Sequence, residues 1–397
     1  MQISRDRTIR IQRALKQNDL DGLFCRLSEH VLYFTGYWPK GQVGAAVVPA
    51  SGNPVLLVGE QEAKWELDRF PPSNNVEVVT FPFESKSELR GPNEAMAAVL
   101  PSVFKHLALE DKVIGVEQRV EVANVGIFQG EVKFPSQPTW DMLRATLPKV
   151  HLKDASQVIM GLRSVKGEEE IERIKLAIEV AAMGFAAARE ALRPGMKEVE
   201  LASVIESAIH SQGTGYKGVT QARGYACVCA GARSAQQWTH YAYSSARVIA
   251  SGDVVIMELG AFADGYWSDL TRNLCVGEAP SKVREMYEVA WGAQRAAIDL
   301  AKPGTPIPAL DRAARDYMTK RGYAEYWPHS LGHGVGMAYH EGPPLHMANN
   351  QPLEAGMVLT IEPGIYIEGV GGIRPEDIIV VRQEGAEVIS DICPHDL

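Results

Sequence analysis

An internal duplication in the C-terminal part of the chain constrains its fold more than any other sequence feature. Residues 193–213 (RPGMKEVELASVIESAIHSQG) resemble residues 302–322 (KPGTPIPALDRAARDYMTKRG), and both segments combine a Pro-Gly turn with a helix-like pattern. Three residues recur with a displacement of 109 positions: Pro194, Gly195 and Gly213 recur as Pro303, Gly304 and Gly322.

A second pair of similar segments follows in the same order. Residues 252–262 (GDVVIMELGAF) resemble residues 356–366 (GMVLTIEPGIY). Here the displacement is 104 positions: Gly252, Glu258 and Gly260 recur as Gly356, Glu362 and Gly364. Each unit therefore predicts a helix, a Pro-Gly turn, a second helix and a β-hairpin. We expect one domain built from two related halves.

The duplicated hairpins carry acidic residues on both strands. Glu258 and Glu362 occupy corresponding positions near the end of the first strand, and the second strands carry Asp269 and Glu376. If the halves pack about a pseudo-twofold axis, four carboxylates converge. They cannot be buried together without a cation, because like charges at short range force protonation or unfold the site. The pattern predicts a metal centre, with two divalent ions.

A histidine cluster lies between the two hairpins, in residues 329–347 (HSLGHGVGMAYHEGPPLHM). It contains His329, His333 and His340 among four glycines, which let the backbone come close to a ligand. Carboxylates completed by one imidazole suit Mn²⁺, Co²⁺, Fe²⁺ or Zn²⁺. Such a centre polarises a carbonyl group and supplies a hydroxide at neutral pH. We expect the other histidines to orient a substrate or to transfer protons.

The first part of the chain reads as a separate α/β domain. Helix-like and strand-like stretches alternate over roughly the first 155 residues, without an obvious catalytic cluster. A long alanine-rich helix then begins near GEEEIE (167–172), with acids in its first turn. We therefore predict an N-terminal domain at residues 1–157 and a catalytic domain at residues 158–397.

Composition narrows the functional classes. A length of 397 residues accommodates two domains, and the net charge of −9 argues against a nucleic-acid surface. The sequence contains no run of 18 apolar residues, so no membrane span is predicted. The five cysteines form no disulfide or zinc pattern, and Cys227 and Cys229 fit one face of a strand. A cytoplasmic protein is expected.

The same residues resemble a known family, the pita-bread-fold metallopeptidases of family M24, closest to prolidases and Xaa-Pro aminopeptidases. The resemblance covers nearly the whole chain, because VLYFTGY (31–37) is typical of the creatinase-type N-terminal domain. The other matching elements are His240, ELGAFADGYWSD (258–269), HSLGHGVGMAYHEGP (329–343), IEPGIY (361–366) and GIRPED (372–377). The implied fold class is α/β (α+β), with a creatinase-type N-terminal α/β domain followed by a pseudo-twofold pita-bread catalytic domain.

The resemblance also implies roles for individual residues. It assigns the metal to five ligands: Glu258, Asp269, His333, Glu362 and Glu376. Glu362 would also act as general base, and His340 would stabilise the tetrahedral intermediate. His240 and His329 would line the substrate pocket, and Arg374 would offset part of the negative charge. The implied partners are a small peptide or amide substrate and a second copy of the chain in a homodimer.

Glu258 departs from the family pattern, which usually has aspartate at this position. The extra methylene moves the carboxylate outward by about 1.5 Å if the backbone is unchanged. Three outcomes follow: Glu258 still coordinates, or one ion is weakened and the site is mononuclear, or the site works without metal and Glu258 acts as nucleophile or base.

The implied reaction is metal-dependent hydrolysis of a peptide bond at proline, with manganese among the candidate ions. The alternative is a hydrolase of a small non-peptide C–N or amide substrate, resembling creatinase or ectoine hydrolase. That alternative predicts activity that survives chelation. A binding protein without catalysis is the third possibility, although such proteins normally lose metal ligands, and Asp269, His333, Glu362 and Glu376 are all present.

Overall fold

The computed structural model describes residues 1–40, 43–69, 71–83, 91–118, 137–239 and 242–395. The chain forms two compact units, Met1–Arg163 and Ser164–Leu397. The domain boundary that the sequence predicts after residue 157 stays a prediction. Over the described residues, every helix is too short or too polar to cross a membrane.

The helices of the described residues alternate with strands in the first unit and come in pairs in the second. Their bounds are α1 Arg5–Gln17, α2 Ser28–Thr35, α3 Glu60–Glu66, α4 Pro92–Ala97, α5 Leu100–His106, α6 Gln137–Thr146, α7 Ser156–Ser164, α8 Glu168–Ala191, α9 Glu198–Gly213, α10 Ser281–Ile298 and α11 Ile307–Thr319. Short 3₁₀ helices span Tyr216–Gly218, Gly231–Gln236 and Ala324–Tyr326.

The strands of the described residues form four sheets. In the first unit they are β1 Gly22–Cys25, β2 Ala45–Pro49, β3 Val55–Gly59, β4 Glu77–Phe81, β5 Val113–Val116 and β6 His151–Asp154. In the second unit they are β7 Ala222–Ala230, β8 Val254–Ala263, β9 Tyr266–Cys275, β10 Gly332–Gly334, β11 Glu341–Leu345, β12 Val358–Ile361, β13 Ile365–Ile367, β14 Gly371–Ile373, β15 Asp377–Arg382 and β16 Gly385–Val388.

The first unit is a six-stranded mixed sheet in the order β4-β3-β2-β1-β5-β6. Its central strands are apolar along their whole length, as expected for strands that are covered on both faces. Phe24, Val47 and Leu57 pack with residues of α4, α5 and α6 in one core cluster. The predicted α/β organisation of this part is therefore confirmed.

The first helix corrects one detail of the sequence pattern. Ile11 and Leu15 are buried, but Ile9 is 43% exposed. A 3.6-residue period places i and i+4 on one face, and Ile11 and Leu15 satisfy it, whereas Ile9 lies about 200° away from Ile11 around the helix.

The second unit contains two larger sheets and two helix pairs. Strands β7, β8 and β9 form an antiparallel sheet against which α8 and α9 pack. The other sheet has the order β11-β10-β12-β15-β16, and its residues Leu359 and Ile379 share a core with Ala290 of α10 and Leu310 of α11. Each half therefore places a helix pair against one face of an antiparallel sheet.

The duplication is visible in the backbone. Gly195 and Gly304 both adopt left-handed conformations, with φ of 88° and 85°. Gly195 N donates to Ile249 O (2.9 Å), and Gly304 N donates to Leu353 O (2.8 Å), at the displacements found in the sequence. Two isolated bridges repeat the relation: Lys197 with Val248, and Pro306 with Pro352. The prediction of two related halves is confirmed.

The first strands of the two hairpins end differently. Glu258 lies in the middle of β8, whereas Glu362 follows the last residue of β12. The prediction that both lie near the end of their strands is therefore wrong for Glu258. The difference follows from Pro363, which has no N–H for a ladder and ends the second strand early.

The acids of the two second strands, Asp269 and Glu376, also do not occupy equivalent positions in the strand pairing. Glu258 pairs with Thr271 and not with Asp269. In the second half, Asp377 pairs with the last residue of β12, which places Glu376 opposite the position that follows the strand. Thr271 and Glu376 are thus the equivalent pair.

Candidate metal centre

The predicted acidic residues and His333 approach the same region of the second unit from five backbone segments. Glu258 and Asp269 come from β8 and β9, and His333 comes from β10. Glu362 and Glu376 lie at the ends of β12 and β15. Of these side chains, Asp269 and Glu376 are almost completely buried, at 2% and 1% exposure.

His333 faces two carboxylates. Its Nε2 lies 3.3 Å from Asp269 Oδ2 and 3.3 Å from Glu362 Oε1. Its Nδ1 lies 2.9 Å from the Gly334 carbonyl oxygen, which can only accept, so Nδ1 carries a proton. In the neutral ring the Nε2 lone pair therefore points at two anions.

This arrangement requires a positive charge. Burial alone would lower the pKa of His333, but hydrogen bonding to Asp269 and Glu362 raises it well above its usual value. A proton on Nε2 or a cation between the three groups removes the repulsion. An imidazole that donates its other N–H to a backbone carbonyl is the usual arrangement of a metal-binding histidine.

Glu376 supports the same conclusion. Its Oε2 accepts a 2.6 Å hydrogen bond from the Thr271 hydroxyl, whereas its Oε1 is buried and has no hydrogen-bond partner among the described residues. Burial, followed by the charges of Asp269 and Glu362, raises the pKa of Glu376 well above its usual value. A carboxylate oxygen in this situation is a ready ligand for a divalent ion, so the donor set fits a metal.

Glu258 lies at the edge of this cluster and is held by protein donors. Its Oε2 accepts hydrogen bonds from Arg374 Nη2 (2.6 Å) and Gln237 Nε2 (3.1 Å), and its Oε1 accepts one from the Tyr339 hydroxyl (2.9 Å). Burial alone would raise the pKa of Glu258, but Arg374 lowers it, so the side chain is a carboxylate.

Arg374 connects the two equivalent glutamates. Its Nη2 pairs with Glu258, and its Nε lies 3.7 Å from Glu362 Oε2. It also donates two hydrogen bonds to the Thr271 hydroxyl oxygen. Arg374 is 5% exposed, so its positive charge lies buried beside these carboxylates.

His340 lies next to the cluster. Its Nε2 is 3.4 Å from Asp269 Oδ2, and donor atoms of Asp269, His333 and His340 all lie within 4.8 Å of one another. Its Nδ1 is buried and has no hydrogen-bond partner in the part of the chain that is described. A buried ion pair of 2.7 Å between Lys166 and Glu341 holds the adjacent backbone in place.

His329 lies farther from the carboxylates, beside Tyr366. Its Nε2 accepts from the Tyr366 hydroxyl (3.0 Å), because its Nδ1 donates to the Ser330 carbonyl (2.8 Å). Burial lowers the pKa of His329 to about 4, so the ring is neutral near pH 7. The remaining predicted histidine, His240, lies outside the described residues.

Sequence reasoning missed three residues that contact Glu258 or Glu376: Gln237, Thr271 and Tyr339. Thr271 has a detectable signal, since it follows Asp269 by two positions on a strand and therefore shares its face. Tyr339 and Gln237 have none, because they reach Glu258 from a loop and from the end of a 3₁₀ helix.

A second cluster in the first unit was also missed. Donor atoms of Cys25, His30 and Glu117 lie within 4.8 Å of one another, and all three residues are buried. Both ring nitrogens of His30 already have partners, since Nδ1 contacts Glu117 and Nε2 lies 3.0 Å from Arg163 Nη1. This leaves no free imidazole lone pair, so the cluster is a structural charge network.

Models of two known protein families match consecutive parts of the chain. The model of metallopeptidase family M24 matches residues 172–383, and the model of the creatinase/prolidase N-terminal domain matches residues 7–165. A curated Xaa-Pro dipeptidase of Pyrococcus furiosus is 30% identical over 384 residues, which cover 96% of this chain and 97% of that protein.

Solved structures with similar folds extend over both units. An Xaa-Pro dipeptidase from Bacillus anthracis has a TM-score of 0.78 at 27% identity and covers 99% of this chain and 98% of its own. An X-Pro aminopeptidase from Thermotoga maritima has a TM-score of 0.77 at 26% identity, with 95% and 97% covered.

Proposed function

The chain belongs to metallopeptidase family M24, and we propose that it hydrolyses the peptide bond on the amino side of proline in small peptides. The predicted fold class, a creatinase-type N-terminal α/β domain followed by a pseudo-twofold pita-bread domain, is confirmed. The proline specificity rests on the Xaa-Pro dipeptidases and the X-Pro aminopeptidase that the chain resembles.

The observation that carries this proposal is the arrangement of Asp269, His333, Glu362 and Glu376. His333 Nε2 lies between two carboxylates, and Glu376 Oε1 is buried without a protein partner. These four residues would hold a divalent ion, with manganese, cobalt, zinc and iron as candidates. Such an ion polarises the scissile carbonyl and lowers the pKa of a nucleophilic water when it is bound.

Glu362 is the group that accepts a proton from the attacking water. Burial opposes its ionisation, but His333 and Arg374 lower its pKa, so it is a carboxylate at neutral pH. The Thr360 hydroxyl donates to its Oε1 (3.3 Å), which restricts the side chain. A positioned base contributes roughly 10²–10⁴-fold to such a reaction.

His340 and His329 would interact with the substrate. His340 would donate from its ring to the oxygen that develops negative charge, since its buried Nδ1 has no hydrogen-bond partner among the described residues. His329 is neutral and fixed by Tyr366, so it orients a polar group without adding charge.

A panel of substrates tests the proposal. Xaa-Pro dipeptides, Xaa-Pro-Yaa tripeptides and creatine-like amides would be assayed with and without a chelator, followed by readdition of Mn²⁺. We expect hydrolysis of Xaa-Pro peptides that disappears with the chelator and returns with Mn²⁺. Activity on the small amides alone, unaffected by the chelator, would instead support the metal-free C–N hydrolase considered from the sequence.

A pair of variants sharpens this test. Glu362→Gln keeps the size of the side chain and removes the base, so kcat should fall by about 10²–10⁴-fold. Glu384→Gln makes the same change at an exposed position and should leave kcat unchanged. The homodimer and the cytoplasmic location stay predictions.

A further inference from the structure

Glu258 differs from the other acids of the site in what surrounds its oxygens. Arg374 and Gln237 both donate to Oε2, at 2.6 and 3.1 Å, and Tyr339 donates to Oε1 at 2.9 Å. Three protein donors thus point at one carboxylate. A carboxylate that is buried without a metal needs such hydrogen-bond donors.

The other acids differ from Glu258, because none of them pairs closely with a guanidinium and each has an oxygen that faces His333 or lacks a described partner. Asp269 Oδ2 and Glu362 Oε1 face the Nε2 atom of His333 at 3.3 Å, and Glu376 Oε1 has no described partner. The residues that could hold an ion are therefore Asp269, His333, Glu362 and Glu376, and four such ligands would be enough for one ion.

The sheet register explains why the length of residue 258 matters. Glu258 pairs with Thr271, and Asp269 pairs with Gly260, so Glu258 and Asp269 are diagonal neighbours on one face. Diagonal neighbours lie about 7–8 Å apart. A second ion would need the carboxylates of Glu258 and Asp269 to point into the space between them. The longer side chain of Glu258 instead carries its carboxylate to Arg374.

The charge of Arg374 acts in the same direction. The guanidinium is buried and pairs with Glu258, so a second cation at this carboxylate would have to compete with an existing positive charge. Two like charges at short range in a partly buried site repel strongly. The pair therefore satisfies Glu258 and opposes a second ion at the same time.

We infer that this chain binds one divalent ion tightly, through Asp269, His333, Glu362 and Glu376, and that Glu258 is a positioning residue for Arg374 and not a metal ligand. A second ion binds roughly 10–100-fold more weakly, since the loss of support around a metal ligand lowers metal affinity by such factors. The inference rests on the metal centre proposed above.

Mn²⁺ binding to the full-length protein tests it directly. The protein would be stripped with a chelator and titrated by equilibrium dialysis, with bound Mn²⁺ measured by elemental analysis. We expect one tight equivalent in the parent chain. Glu258→Asp shortens the side chain by one methylene, withdraws it from Arg374 and should create a second tight equivalent.

Two further variants serve as controls. Glu258→Gln should keep the single tight equivalent, because the four ligands are unchanged. Glu384→Asp makes the same shortening at an exposed position and should also stay at one equivalent. Circular dichroism of each variant would verify that it is folded before the titration.

The possible outcomes separate this inference from the proposed function. Two equivalents of similar affinity in the parent chain, or a single equivalent in folded Glu258→Asp, would overturn the inference and leave the metal centre intact. Tight Mn²⁺ binding that is lost in Glu258→Gln would overturn it as well. A parent chain that binds no Mn²⁺ would contradict the metal centre itself.

Discussion

The Thr271 hydroxyl donates a 2.6 Å hydrogen bond to Glu376 Oε2, although the two residues occupy equivalent positions in the two halves of the second unit. The duplication thus placed a small donor in one half and a buried carboxylate in the other. The same hydroxyl oxygen accepts hydrogen bonds from Arg374, so it links the positive and negative groups of the site.

Thr271→Val removes this link with little change in side-chain volume. Glu376 Oε2 loses its donor in a buried site, and we expect the free energy of unfolding to fall by about 1–3 kcal/mol. Chemical denaturation monitored by circular dichroism would measure it. Thr319→Val, at a position where the hydroxyl only donates to a carbonyl of its own helix, is the control and should cost less.

Arg374→Gln leaves Glu258 and Glu362 without their buried cation. We expect the chelator-treated protein to lose about 3 kcal/mol of unfolding free energy, because breaking a buried ion pair isolates a charge. Arg382→Gln breaks exposed pairs with Glu168 and Glu387 and should cost less than about 1 kcal/mol. Equal losses in the two variants would contradict the central role of Arg374.

Glu376→Gln should have opposite effects on the metal-free and metal-loaded protein. Removing one crowded negative charge should maintain or raise the melting temperature without metal, since burial and neighbouring anions already disfavour the charged form. Excess Mn²⁺ should stabilise this variant less than the parent chain, because the variant lacks one carboxylate ligand and binds the ion more weakly. In the parent chain, Mn²⁺ at 100 times Kd should add about 2.7 kcal/mol to the free energy of unfolding. Thermal melts with and without Mn²⁺ measure both effects.

Mn²⁺ binding should release a proton from His333. The folded-state pKa of His333 is raised by Asp269 and Glu362, so its contribution to the stability of the metal-free protein is full below the unfolded pKa. That contribution is lost as the pH rises through the folded pKa. A metal needs the unprotonated ring, so calorimetric titrations in buffers of different ionisation enthalpy should reveal release of about one proton or more.

The pH dependence of His329 should have the opposite sign. Its folded-state pKa of about 4 lies below the unfolded value of about 6.5. Its contribution to stability is therefore full above about pH 6.5 and is lost as the pH falls toward 4. Denaturation curves across this window should show a smaller loss for His329→Gln than for the parent chain. An NMR titration that places the His329 pKa near 6.5 would contradict the expectation.

Much of the site could be predicted because its ligands lie in local patterns. The duplicated glycines mark left-handed turns, and strand alternation places acids on a common face. Four buried carboxylates require a cation wherever they meet, which is a statement about charge and not about coordinates. The acids Asp269, Glu362 and Glu376 therefore follow as candidate ligands from these patterns, whereas the choice of His333 among three histidines comes from the family resemblance.

Other features could not be predicted from local patterns. The strand pairing makes Thr271 the equivalent of Glu376, because Glu258 pairs with Thr271 whereas Glu362 lies opposite Glu376. The buried network around His30 joins residues far apart in the first unit. Neither the strand pairing nor this network produces a periodic pattern in the sequence.

The sequence by itself determined that two related halves bring acidic residues and an imidazole to one centre, because repeat spacing and side-chain chemistry are local properties. Only the tertiary structure decided what Glu258 does there. Its partner Arg374 is far away in the chain, and Gln237 and Tyr339 come from two other segments. Whether a carboxylate meets a cationic side chain or a metal depends on a side-chain length of about 1.5 Å within that packing.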